Sequence, residues 1–228
     1  MASHAGLRFC CAAATFGLMP SGSHIACLRL DAFGLGELGD LRVAFGAGEP
    51  LRLRQAWLPS PEVGFLAGGI RTGWTPEALF VFAELPDVDI FSEVTEANQE
   101  TWLLGDVFEI FLKSPDCAAY DELHVTPQNI RAHFHFTASG APLRAVDEGI
   151  FSSRTWVEAS AQRWFVFAEI PARLVISSGR IEPGACCHFS FSRYDAFRNG
   201  QPPHLSSTSS HSVRNFHRLE EWGVLSFQ

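Results

Sequence analysis

Glu109 stands in the run Val107-Phe-Glu-Ile-Phe-Leu112, whose other members are all apolar. A carboxylate placed among such neighbours is costly to bury unless something uses it. Upstream stands Trp102, separated from the run by Gly105-Asp106. A ring and an acceptor group, both held on rigid backbone, suit a polyhydroxylated ligand: the ring stacks on the apolar face of a sugar while the carboxylate accepts its hydroxyls. The competing expectation is a core tryptophan and a carboxylate paired with an arginine.

Other residues suggest other chemistry. Asp87 and Asp89 follow an apolar run and could ligate calcium, although the loop lacks the further oxygen ligands a dedicated site draws from sequence. A solvated turn competes with that reading. His133 and His135 would share a strand face and could hold a metal, but no third ligand is apparent, so a solvated outward face is expected there. Glu109 and Glu122 on neighbouring strands could be written as the acid pair of a glycosidase, which needs two carboxylates at a defined separation. Nothing in the sequence sets that separation. G-x-S-x-G, H-E-x-x-H, P-loop and G-x-G-x-x-G motifs are all absent. The single lysine, Lys113, lies in no motif for Schiff-base or phosphate chemistry.

The elements that would carry these residues read as strands. Period-two geometry sends Phe108, Ile110 and Leu112 to one face of the central run and Val107, Glu109 and Phe111 to the other. Residues 25–31, 51–57, 78–85, 120–125, 130–136, 149–159, 163–170, 186–194 and 224–227 also read as strands. On 120–125, Glu122 and His124 share a face, which Thr126 continues. On 130–136, Ile130, Ala132, Phe134 and Phe136 are expected inward and Arg131, His133 and His135 outward. Residues 91–101 read as a loop or short helix delivering Trp102, 172–175 as a helical turn, and 206–210 as a polar loop. Many short strands punctuated by Pro, Gly and Asn/Asp turns predict an all-β antiparallel sandwich, jelly-roll-like, as one domain over residues 25–228.

With 228 residues, 46% hydrophobic and 12% aromatic, the chain can bury a sizeable core. A net charge of −8 argues against nucleic acid and against an anionic membrane surface. No run approaches the roughly 20 apolar residues of a membrane span. Six cysteines with no C-x-x-C spacing point to free thiols rather than zinc or a disulfide framework. Residues 1–24 read as an N-terminal extension or a signal-like segment: Phe9 to Met19 is short and apolar behind the single Arg8, without a clean cleavage site.

The order of motifs resembles the family 9 carbohydrate-binding modules and their wider relatives, a group related to DOMON-type domains. Four pieces carry the likeness: Leu79-Phe-Val-Phe-Ala-Glu-Leu-Pro-Asp-Val-Asp-Ile90, then Trp102 with Asp106 and Glu109-Ile-Phe-Leu112, then Tyr120-Asp-Glu-Leu-His-Val-Thr-Pro127, then Phe216-His-Arg-Leu-Glu-Glu-Trp-Gly-Val-Leu225. Residues 164–171 add a fifth, weaker one. The resemblance implies a β-sandwich that binds mono- or oligosaccharides, often chain ends, without catalysis, and that accompanies polysaccharide degradation outside the cytoplasm. It places Trp102 and Phe216 as two clamping rings and Glu109 as the hydroxyl-binding carboxylate. His124 falls where a sugar-binding member has Arg, and Thr126 where it has Asn. A structural calcium at Asp87 and Asp89 is also implied. Two alternatives stay open: a glycoside hydrolase using Glu109, and a structural or partner-binding sandwich that has lost its sugar, which the departures at 124 and 216 make a real competitor.

Overall fold

Short runs rich in β-branched and aromatic residues, bounded by turn formers, become strands because such side chains pack well on a pleated surface. The computed structural model describes residues 23–30, 36–46, 50–146 and 148–228; most of the N-terminal extension therefore lies outside the described residues. In chain order the strands are β1 (His24–Arg29), β2 (Leu51–Arg52), β3 (Gly69–Thr75), β4 (Ala78–Pro86), β5 (Val107–Lys113), β6 (Tyr120–Val125), β7 (Arg131–Phe136), β8 (Arg144–Ala145), β9 (Ser152–Glu158), β10 (Arg163–Pro171), β11 (Cys186–Asp195), β12 (His204–Ser207) and β13 (Gly223–Phe227). Two short helices, α1 (Leu38–Ala44) and α2 (Ala172–Val175), accompany them.

The chain forms the expected all-β sandwich. One layer runs β8-β7-β6-β5-β11-β13-β1, and the other runs β1-β3-β4-β10-β9. β1 belongs to both: His24 to Cys27 pair with β13, whereas Leu28 and Arg29 pair with β3. Both of its pairings are parallel, a departure from an otherwise antiparallel fold. A strand that leaves one layer for the other closes an edge that would otherwise be open.

Phe108, Ile110 and Leu112 of β5 face the main core with Leu123, Val125, Phe189 and Phe191, against Leu79, Val81, Trp164 and Val166 of the other layer. β4 and β10 are buried on both faces. Their second face stacks Phe80 on Phe167 and Phe82 on Phe165 beneath Leu41 and Phe45 of the α1 segment. The outer face of the first layer is also covered: Phe111, Tyr120, Phe134 and Phe136 pack under Phe216 and Trp222.

Three expectations are corrected. The run 51–57 yields only the two-residue β2 and an isolated bridge from Arg54 to Ser207. The pairing ends because the backbone turns, the Leu58 N–H donating to the Gln55 carbonyl, while the Gln55 side chain bonds the Glu62 N–H and the Leu205 carbonyl. Residues 206–210 are not simply a loop, since Ser206 and Ser207 complete β12 and are buried. Polar residues are tolerated there because the Ser207 hydroxyl lies 2.9 Å from that of Ser190 and 3.2 Å from that of Ser192. The two faces of β7 are exchanged: Ala132, Phe134 and Phe136, expected inward, pack on the outer face of the first layer, and His133 is buried rather than solvated. It stands opposite Leu123 of the main core, and its Nε2 lies 2.7 Å from Asp121, a carboxylate shared with His135.

Candidate functional site

The side-chain alternation of β5 puts Glu109 beside Phe111 on the outer face of the first layer. Register supplies their neighbours. His124 of β6 lies opposite Glu109, Glu122 lies opposite Phe111, and Ser192 of β11 flanks Glu109 on the other side. Two segments rise around this floor: a single 3-10 turn at Thr101–Leu103 and the stretch between β12 and β13 that carries Phe216. They enclose a cavity of about 350 Å³ lined by Trp102, Glu109, Phe111, Glu122, Tyr194 and Phe216 among others.

Trp102 is held half-buried at this cavity. Its ring meets His124 and Phe134 edge-on, with centroids 5.7 and 5.8 Å away. The turn behind it depends on Gly105, whose φ is +134°. A Cβ there would lie 2.6 Å from the Ser92 Cα and 2.7 Å from the Phe91 carbonyl oxygen. Phe216 also lines the cavity but is only 5% exposed. Its ring is packed against Phe111, Tyr194 and Trp57, and its carbonyl accepts from the Trp222 indole N–H at 2.8 Å. Phe216 is therefore a wall fixed by other rings, whereas Trp102 keeps exposed ring surface.

Among the described residues Glu109 pairs with no arginine. Its neighbours are acidic and imidazole groups: His124 Nε2 lies 2.6 Å from Glu122 Oε1 and 3.5 Å from Glu109 Oε1. Burial, and then the Glu122 charge, push the Glu109 carboxyl well above the usual carboxylate range. One oxygen of each glutamate, Oε2, has no hydrogen-bond partner among the described residues.

The other expected site residues are placed differently. His124 is fully buried beneath the cavity and not at its surface, bonding Glu122 through one ring nitrogen and Thr101 through the other, at 2.6 Å. Thr126 is also fully buried, and its hydroxyl accepts the Ile130 N–H, closing the β6–β7 turn. Asp87 and Asp89 diverge. Asp87 turns inward to Arg193, 2.7 Å away, and accepts the Asp89 N–H; Asp89 pairs with Arg198 on the surface. As a calcium pair these two do not fit, because a guanidinium already engages each of them.

Several lining residues do not stand out in the sequence. Tyr194 is reachable, since period-two alternation along β11 from Ser190 and Ser192 puts it on the cavity face. Alternation also puts Glu122 on the right face but gives it no part in sugar binding. Arg214 and His217 lie on irregular backbone between β12 and β13, where no period assigns a face.

No family model and no curated protein matches the chain. Solved structures do. A protein from Bacteroides uniformis assigned a carbohydrate-binding role superposes with a TM-score of 0.71 at 15% identity, over 91% of this chain and 100% of that one. A family 9 carbohydrate-binding module from Caldicellulosiruptor kristjanssonii in complex with cellotriose gives 0.62 at 17% identity, over 90% and 94%. The glucose complex from the same organism gives 0.59 at 16% identity, over 90% and 96%. At these identities the likeness establishes the fold, and that fold is the family 9 sandwich.

Proposed function

We propose that the chain is a non-catalytic carbohydrate-binding module whose ligand enters the cavity on the outer face of β5 and β6. The observation that carries this reading is the pairing, in one cavity, of the half-buried Trp102 ring with a floor of two carboxylates, Glu109 and Glu122. Trp102 supplies the stacking surface and the glutamates accept hydroxyls. The guanidinium that the resemblance leads one to expect at position 124 is replaced from elsewhere in the chain: Arg214 and His217 join the lining from the segment around Phe216. At about 350 Å³ the cavity falls at the small end of ligand pockets, which run from about 300 to 1,000 Å³. That size suits a saccharide end better than a long chain. A sandwich of the same fold holds cellotriose and glucose in its complexes.

What supports a binding role over hydrolysis is the placement of the two carboxylates. They stand side by side on adjacent strands and approach the same imidazole, instead of flanking a scissile bond from two sides. Titration calorimetry with glucose and cello-oligosaccharides tests the proposal. Trp102→Ala is expected to weaken binding at least tenfold, about 1.4 kcal/mol, with little change in folded structure. Unchanged affinity would remove Trp102 from the site, and no binding of any sugar by the unmodified chain would end the reading.

A further inference from the structure

We propose that Glu109, Glu122 and His124 form a binding site for one divalent first-row transition-metal ion under the floor of the cavity. The inference goes beyond the carbohydrate reading and does not depend on it. Its first support is convergence. The three side chains come from two adjacent strands, are 2%, 4% and 0% exposed, and bring one potential ligand atom each to within 4.8 Å of one another.

The second support is independent of that clustering. Oε2 of Glu109 and Oε2 of Glu122 are both buried and have no hydrogen-bond partner among the described residues. Leaving a buried acceptor unpaired costs free energy, more for a charged group. The contacts to His124 use the Oε1 atoms; Glu122 Oε2 has only His217 Nε2, 3.8 Å away, and the cost at Glu109 Oε2 stays in place. A bare cation seated between the side chains would supply the missing partner.

The imidazole is held as a metal ligand would be. Thr101 Oγ1 lies 2.6 Å from His124 Nδ1, which directs Nε2 toward the two carboxylates. A metal-binding histidine almost always uses its second nitrogen in such a bond, which fixes its tautomer and orientation. Two carboxylates and a neutral imidazole balance the charge of a divalent ion. The mixed oxygen and nitrogen donors favour zinc or manganese over calcium, which takes six to eight oxygens. Three protein ligands would leave a further coordination position for water or a ligand.

The test is calorimetric titration of the chelator-stripped full chain with Zn²⁺, Mn²⁺ and Ca²⁺. One Zn²⁺ per chain is expected, bound at least 100-fold more tightly than Ca²⁺. Thiols also bind zinc, so the site is assigned by variants. Glu109→Gln with Glu122→Gln is expected to abolish that binding event. Thr101→Val, which removes only the oxygen holding His124, is expected to weaken it by about 10- to 100-fold, and it decides the matter if the double variant does not fold. No zinc binding, or zinc binding unchanged in these variants, overturns the proposal. Sugar titrations are run separately with chelator present, so a failure of the sugar reading and a failure of the metal site are told apart.

Discussion

Two buried acidic clusters lie on opposite faces of the same ladder. In the β5–β11 register, Arg193 pairs with Phe108 while its neighbour Ser192 pairs with Glu109. On the inner side, Asp87, Asp106 and Asp195 gather around Arg193, whose Nη2 is 2.7 Å from Asp87 and 2.9 Å from Asp195. Asp106 accepts the Phe91 and Ala196 N–H groups, at 2.7 and 2.8 Å. On the outer side, among the described residues, Glu109 and Glu122 have imidazole contacts, from His124 and, 3.8 Å from Glu122 Oε2, from His217, but no ion pair to a guanidinium, and each keeps one oxygen without a hydrogen-bond partner. The inner cluster, although the buried Arg193 Nε has no hydrogen-bond partner among the described residues, has its charges paired and forms a structural knot that ties the loop after β4 and the turn before β5 to β11. The outer cluster carries an unmet demand beside a cavity. Buried acids alone do not mark a site; what separates the two is whether the fold supplies the counter-charge and donors.

The largest expected effect tests the closed cluster. Arg193→Met leaves three buried carboxylates without their cation and should cost about 3–5 kcal/mol, read from denaturant midpoints. A loss under 1 kcal/mol would show that the knot is not held electrostatically. Gly105→Ala strains the turn between the two clusters through its positive φ and the approach of Phe91 and Ser92. It should cost about 1–3 kcal/mol and lower sugar affinity, because the same turn carries Trp102; an affinity left intact would separate the turn from the ring.

Glu109→Gln should act in the opposite sense. Removing a buried charge that repels Glu122 leaves metal-free stability unchanged or raises it by up to about 1 kcal/mol, while sugar binding weakens. Destabilisation as large as that of Arg193→Met would erase the distinction between the clusters.

The smallest effect is the pH dependence. Burial first of all pushes Asp195 up to about 6, and burial together with the Asp87 charge pushes Asp106 up to about 8. Glu109 is raised as well. Because these folded-state values exceed the unfolded ones, the native state holds more protons in this window. Their contribution to stability is therefore fully present at low pH and falls as pH rises from about 4 through 8. Glu221 is lowered to about 2, so its contribution is complete above its ordinary value of 4.5 and is lost only as pH falls from there toward 2. Burial lowers His188 and His211 from 6.5, which acts in the opposite sense below that value, so urea midpoints should decline from pH 7 to pH 9, and an unchanged midpoint would contradict the assigned shifts.

Much of the sandwich is legible as period-two runs between turn residues, because a pleated strand forces alternation whatever it pairs with. β4 and β10 are recognisable by their continuous apolar character, which a strand covered on both faces requires. β1 joining both layers and the burial of Ser206 and Ser207 are not legible, since each depends on a partner far away in the chain. The site divides in the same way. The acid within an apolar strand and the ring upstream of it stand out by residue type and spacing alone.

Alternation decides which face a side chain takes, and this is enough to set Glu109 beside Phe111 and Glu122 beside His124. It says nothing about what stands across the ladder or what folds back over it. The closeness of Glu109 to Glu122, the burial of His124 beneath them, and the placing of Phe216 as a packed wall come from strand register and from the return of the segment before β13. Those are long-range contacts. Each is set by the packing of many residues at once, and so no single stretch of the chain encodes it.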